Sequence, residues 1–166
     1  MAGRAGGRGA LVGKRDVVSD NGLVKAVGDR GVGWLAALVF LATFALFSPA
    51  IGYDFVALDD GPYVEENPTV REGISAASLQ WAMTANVLGF WGPATWLSYM
   101  IDAEVHGPGP GGFHATNVLL HALNAALVFG LLRRWTGRTG ASCAGALLWA
   151  WHPLRVESVA WIAERK

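Results

Sequence analysis

Two uncharged apolar runs dominate the pattern of the chain. Residues 31–51 (GVGWLAALVFLATFALFSPAI) and 113–132 (FHATNVLLHALNAALVFGLL) each hold 20 or 21 residues without Asp, Glu, Lys or Arg. At about 1.5 Å of rise per helical residue, such a run crosses a hydrocarbon core of about 30 Å. Both are read as spanning helices. A third run, 140–151 (GASCAGALLWAW), reaches that length only when extended, and is read as a third span over 138–154. Small residues at Ser48, Pro49 and Ala50 also suit signal-peptide cleavage. The length of the apolar run, and the 30 residues before it, favour an uncleaved anchor. Between the first two runs, residues 52–112 form a long loop with two amphipathic stretches. Over 74–87, Leu79, Trp81, Ala82 and Met83 mark one apolar side; over 91–105, Trp96, Leu97, Met100 and Ile101 mark another. Both stretches are expected as helices along the membrane interface, with Trp81, Trp91 and Trp96 in a headgroup-level aromatic belt. Gly92-Pro93 and the Gly/Pro cluster 107–112 mark turns.

The second run carries a polar stripe. His114, Asn117, His121 and Asn124 are spaced by 3, 4 and 3, an arc of about 80° on a helix. Polar groups facing lipid are costly, so this stripe must pack against other helices or line a water-filled path.

Charge orients the runs. Six basic residues against three acidic ones precede Gly31, and Arg133, Arg134 and Arg138 follow the second run without an acid. By the positive-inside rule both flanks are cytoplasmic. The 52–112 loop holds eight acidic residues opposed only by Arg71, and is expected outside the cytoplasm. This orientation makes the 1–30 segment a disordered cytoplasmic tail of an integral membrane protein. Over the whole chain 13 basic residues balance 13 acidic ones, and the 52% hydrophobic content with eight Trp points to a membrane protein. The Arg/Gly-rich start reads as a positive-inside flank, so no nucleic-acid partner is expected. Cys143 stands alone in an apolar stretch, which leaves no disulfide framework and no thiolate metal set.

Two places carry candidate chemistry. Asp59 and Asp60 are adjacent carboxylates in the outer loop; before Gly61-Pro62 the doublet also reads as an Asx turn. Glu65, Glu66, Asn67 and Pro68 read as turn and solvated surface. Pro153 stops the third helix and residues 155–166 begin a second outer loop, so that His152, Arg155, Glu157, Arg165 and Lys166 collect at the surface on the same side as the doublet. Such groups can bind phosphate or a divalent metal ion, although no established metal spacing is present.

The order of the blocks F-V-x-x-D-D-x-x-Y-V-x-E-N-P-x-V, W-x-x-x-T-W-L-S-x-M-x-D, H-x-T-N-x-x-L-H-x-x-N and H-P-L-x-V-E-S-V-A-W-x-A-E-R-K resembles a known family. It is similar to the N-terminal part of bacterial membrane proteins with C-terminal tetratricopeptide repeats. These are relatives of the transmembrane and tetratricopeptide-repeat O-mannosyltransferases within the GT-C glycosyltransferase superfamily. The resemblance covers residues 55–166. It implies an all-α membrane fold, here an N-terminal fragment with two to three spans, and a polyprenyl-phosphate sugar donor. It implies an acceptor that is a protein or a glycolipid. The essential acidic residue of the first outer loop matches Asp59 or Asp60, and His152 and Glu157 lie where the second outer loop adds site residues. Asp59 is expected as the base, Asp60 as a capping or metal-contacting neighbour, and Arg155, Arg165 or Lys166 as holders of the donor phosphate. A fragment of this length is expected to be inactive alone. The second reading is a noncatalytic membrane anchor or scaffold for a tetratricopeptide-repeat protein.

Overall fold

The computed structural model describes residues 17–165, with side chains from Gly31 onward. Residues 1–16 of the expected tail, and Lys166, lie outside the described residues. Two compact units are present, Met1–Trp34 and Leu35–Lys166. In the first, helix α1 (Val17–Phe47) begins; packing is described for the second alone.

Among the described residues every element is helical and no strand forms. After α1 the chain makes a short helical turn, Ser48–Gly52, then a wide turn, Gly61–Glu65, closed by Glu66 N–H donating to the Gly61 carbonyl at 2.8 Å. Helix α2 (Pro68–Arg71) is capped by Asn67, whose Oδ1 accepts from Val70 N–H at 3.3 Å, with Pro68 at the first helical position. Asn67 is buried for that reason, whereas its neighbours Glu65 and Glu66 are exposed. Helix α3 (Ala76–Thr84) starts from a reciprocal cap in which Ser75 and Ser78 each accept the other's backbone N–H. Helices α4 (Pro93–His106) and α5 (Pro110–Thr136) both open on proline. Of the Gly/Pro cluster, residues 107–109 form the turn, and Gly111 and Gly112 are already helical.

Gly137, in the left-handed region at φ 67°, ends α5 and reverses the chain into α6 (Thr139–Ala150). Helix α6 has 12 residues, about 18 Å at the helical rise. The chain then turns through 151–154 into α7 (Arg155–Ala160) and a last short turn, Ile162–Glu164. Two segments, Gly31–Gly52 and Pro110–Thr136, are long and apolar enough to cross a membrane. The chain is an all-α membrane protein.

The 52–112 loop folds on itself. Tyr63, Val64, Val70, Ala82, Trp96, Tyr99 and Met100 form a buried core, completed by Phe113 of α5 and by Ile162 and Ala163 of the last turn. Trp96 is therefore not a belt residue: it is fully buried, edge-on to Tyr63, Trp81 and Phe90. The i, i+4 pairing with Met100 places it on the correct face of α4, but that face meets the loop's own aromatics. Trp91 does stay exposed, its indole N–H donating to the Met83 carbonyl at 3.0 Å. A second cluster, Phe47, Ala50, Val118 and Val159, joins the end of α1 to α5 and α7.

Candidate functional site

Helix α5 places its polar stripe where the sequence pattern requires partners. Asn117, His121 and Asn124 line a pocket of about 510 Å³, closed by Trp149 of α6, Arg155 and Ser158 of α7, and Glu164 and Arg165. Packing and pocket lining are both served. His121 Nε2 is 2.9 Å from the Ala150 carbonyl, and Asn117 Nδ2 donates to the carbonyls of Val159 and Trp161 at 3.3 and 3.2 Å. His114, the fourth stripe residue, sits higher, buried against Tyr53 and the Asp54 carbonyl.

Arg155 stacks over Trp149, its guanidinium carbon 4.7 Å from the ring centroid. Its Nε is buried without a hydrogen-bond partner. A second apolar groove, lined by Leu127, Val128 and Leu131, shares Asn124 and Trp149 with the polar pocket. The mixed polar and apolar pocket thus adjoins an open apolar groove along α5.

The two aspartates of the doublet diverge. Asp60 is fully buried, its Oδ2 accepting from Val56 N–H at 2.9 Å and its Oδ1 from Ala163 N–H at 2.8 Å. It ties the 52–112 loop to the last turn across 103 positions of sequence, in place of a forward Asx turn. Asp59 is half-buried, and its carboxylate accepts no hydrogen bond from the described residues. Neither carboxylate lines the pocket. Ala163, held by Asp60, is two residues before Arg165 on the pocket wall.

The candidates of residues 152–166 are also divided. Arg155 and Arg165 meet at the pocket. His152 is exposed, its Nδ1 accepting from Leu154 N–H at 3.3 Å, and it borders a separate apolar groove with Leu148 and Trp151. Glu157 is exposed on α7. Lys166 lies outside the described residues. Arg165 is heavily engaged: it donates to Asn117 Oδ1 and Asp102 Oδ2 at 2.6 Å each, to the Phe113 carbonyl at 2.7 Å and to Ser98 Oγ at 3.1 Å, and stacks over Tyr99. No group of three or more His, Cys, Asp or Glu that could hold a metal ion is found among the described residues. Both oxygens of Asp60 are already turned to backbone N–H groups. Asp60 therefore does not fit a metal ligand, and Asp59 alone makes no metal site among the described residues.

Several partners escaped sequence reading. Asp102 pairs with Arg165 in a buried ion pair, side chains 5% and 7% exposed, and its other oxygen accepts from Thr116 at 2.6 Å. Tyr99 donates to the Ile162 carbonyl at 2.8 Å; burial pushes its phenol above the ordinary value, against the pull of Arg165. Asp102 carried a signal. It ends a stretch, 73–101, without one charge, so its carboxylate lies on a helix otherwise built for burial and needs a cation.

Three quarters of the chain aligns with proteins of known name. It is 33% identical over 144 residues to the mouse protein O-mannosyl-transferase TMTC1, covering 78% of this chain and 15% of that protein. The human TMTC1 is 31% identical over 144 residues, covering 78% and 16%. The Drosophila melanogaster Tmtc2 is 36% identical over 78 residues, covering 46% and 8%. The chain thus spans about a sixth of the length of the TMTC1 proteins it matches. No protein-family profile and no solved structure matches it.

Proposed function

Since this chain is related to protein O-mannosyl-transferases, we propose that it is the N-terminal part of a membrane glycosyltransferase that draws sugar from a polyprenyl phosphate. In this reading the N-terminus is cytoplasmic and the 52–112 loop faces outward, so donor and acceptor meet at the outer surface. The observation that carries it is the joined pair of pockets on α5. An amphiphilic phosphate needs a cation with polar groups for its head and an apolar channel for its tail. Arg155, Ser158 and Asn124 supply the first, and Leu127, Val128 and Leu131 the second. Glu164 and Arg165 stand on the same wall, the guanidinium ion-paired with Asp102.

Transfer then requires a base at the acceptor. Asp59 takes the proton of an acceptor hydroxyl as its oxygen bonds to the anomeric carbon, and the lipid phosphate leaves with the electrons of the broken C–O bond. Its carboxylate is uncommitted, whereas that of Asp60 is held by two N–H groups. Asp60 serves as the rigid neighbour that fixes the loop. His152 and Glu157 belong to the acceptor side of the second outer segment. With Asp59→Asn, transfer by the natural protein in its own membranes should fall roughly a hundredfold to ten-thousandfold while its abundance stays the same. Undiminished transfer would remove Asp59 as the base.

The scaffold reading draws on one observation, the interhelical hydrogen bonds of Asn117 and His121. It expects intact function in Asp59→Asn, and disrupted assembly when His121 and Asn124 become Leu.

A further inference from the structure

Arg165 looks at first like a second phosphate ligand, since it borders the pocket. Its donors say otherwise. Of the five N–H groups of a guanidinium, four are taken: by Asn117, Ser98, Asp102 and the Phe113 carbonyl. Its charge is matched by Asp102 at 2.6 Å, and that carboxylate is fixed from its other side by Thr116. An arginine so held is a strut between α4 and α5.

The consequence runs through Asn117. Arg165 Nε–H can only donate, so the Asn117 oxygen must face it and the Asn117 NH₂ must point away. Those two N–H bonds meet the carbonyls of Val159 and Trp161, at the end of α7 and just beyond it. Helix α7 has six residues and no side-chain cap at its start. Apart from the stack of Arg155 over Trp149, its hold on the rest of the protein is at this end, with Val159 packed on Val118 and the neighbouring turn pinned by Asp60 and Tyr99. One turn before Val159 stands Arg155, and immediately before it Ser158; both line the pocket.

We propose that Arg165 is a positioning residue: locked by Asp102, it sets the Asn117 amide, which holds α7 so that Arg155 faces the pocket. This rests on the reading above only for what Arg155 then binds. It assigns a task to Ser98, Asp102, Asn117 and Arg165 that the transfer chemistry does not use. Lys at position 165 would keep a charge beside Asp102 but not the fork that reaches three further acceptors. Asp at position 117 would keep an acceptor for Arg165 and lose both donors to α7.

The test has two readouts on the chain in lipid nanodiscs, each on variants confirmed folded by their melting curves. In a Cys143→Ser background, which removes the sole cysteine, Ser158→Cys reports the setting of α7 through its rate of labelling by a water-soluble maleimide. Farnesyl phosphate binding reports the pocket. Arg165→Lys and Asn117→Asp should each change the labelling rate several-fold. Each should weaken farnesyl phosphate about tenfold, the loss of a charge-assisted hydrogen bond, with its salt sensitivity retained because Arg155 still supplies the charge. Arg155→Gln should abolish binding and leave the labelling rate alone. Labelling rates unchanged in both Arg165→Lys and Asn117→Asp overturn the positioning role. Loss of salt sensitivity in Arg165→Gln, with labelling unchanged, would make Arg165 a direct ligand instead. Full binding by Arg155→Gln overturns the pocket reading while the labelling result still decides the positioning role.

Discussion

Asp60 commits both carboxylate oxygens to backbone N–H groups, so the loss of its charge is felt first in stability. Asp60→Asn turns an NH₂ toward one of those donors and should cost about 2–3 kcal/mol. Asp59→Asn should change stability by less than about 0.5 kcal/mol, since its carboxylate accepts nothing from the described residues. Thermal unfolding in detergent micelles separates the two. Tyr99 gives a pH signature. Burial raises its phenol above the ordinary 10.0, so its contribution is complete below that value and is lost as pH climbs through the higher folded one. Wild-type protein should therefore lose stability above about pH 10, and Tyr99→Phe should lose about 1–2 kcal/mol at neutral pH but flatten that alkaline decline. The doublet is visible in the sequence, and the family resemblance gave its two members different expected roles. Which member is held could not be read, because the N–H that decides it belongs to Ala163.

Helices show where local rules suffice. Serine and asparagine caps, proline at first helical positions and glycine after α5 all act within a few residues, and the elements they bound are near those expected from spacing. Gly137 is the sharpest case. At φ 67° a side chain is strained, so Gly137→Ala should destabilise the α5–α6 turn by about 1 kcal/mol, readable as a lowered melting temperature. Reading fails where a helix face chooses its partner. Trp96 fits a membrane belt as well as a core by spacing alone, and only the fold of the loop onto Tyr63, Trp81 and Phe90 decides. The same holds for α5: its stripe announces partners, yet the pocket exists because α6 and α7 come back to it.

At the scale of the whole molecule, the 52–112 loop and the last turn make one packed layer beside the start of α5, and the pocket lies next to it. The account's central claim is that this pocket and the apolar groove beside it take a lipid phosphate. A photoactivatable prenyl phosphate, with its reactive group on the tail, tests it most directly when cross-linked in the natural membrane and mapped by mass spectrometry. The account predicts labels on Leu127, Val128, Leu131 or Trp149, lost in Arg155→Gln and displaced by unlabelled prenyl phosphate. Labels elsewhere on the chain, or labels on these residues that survive Arg155→Gln, would contradict it.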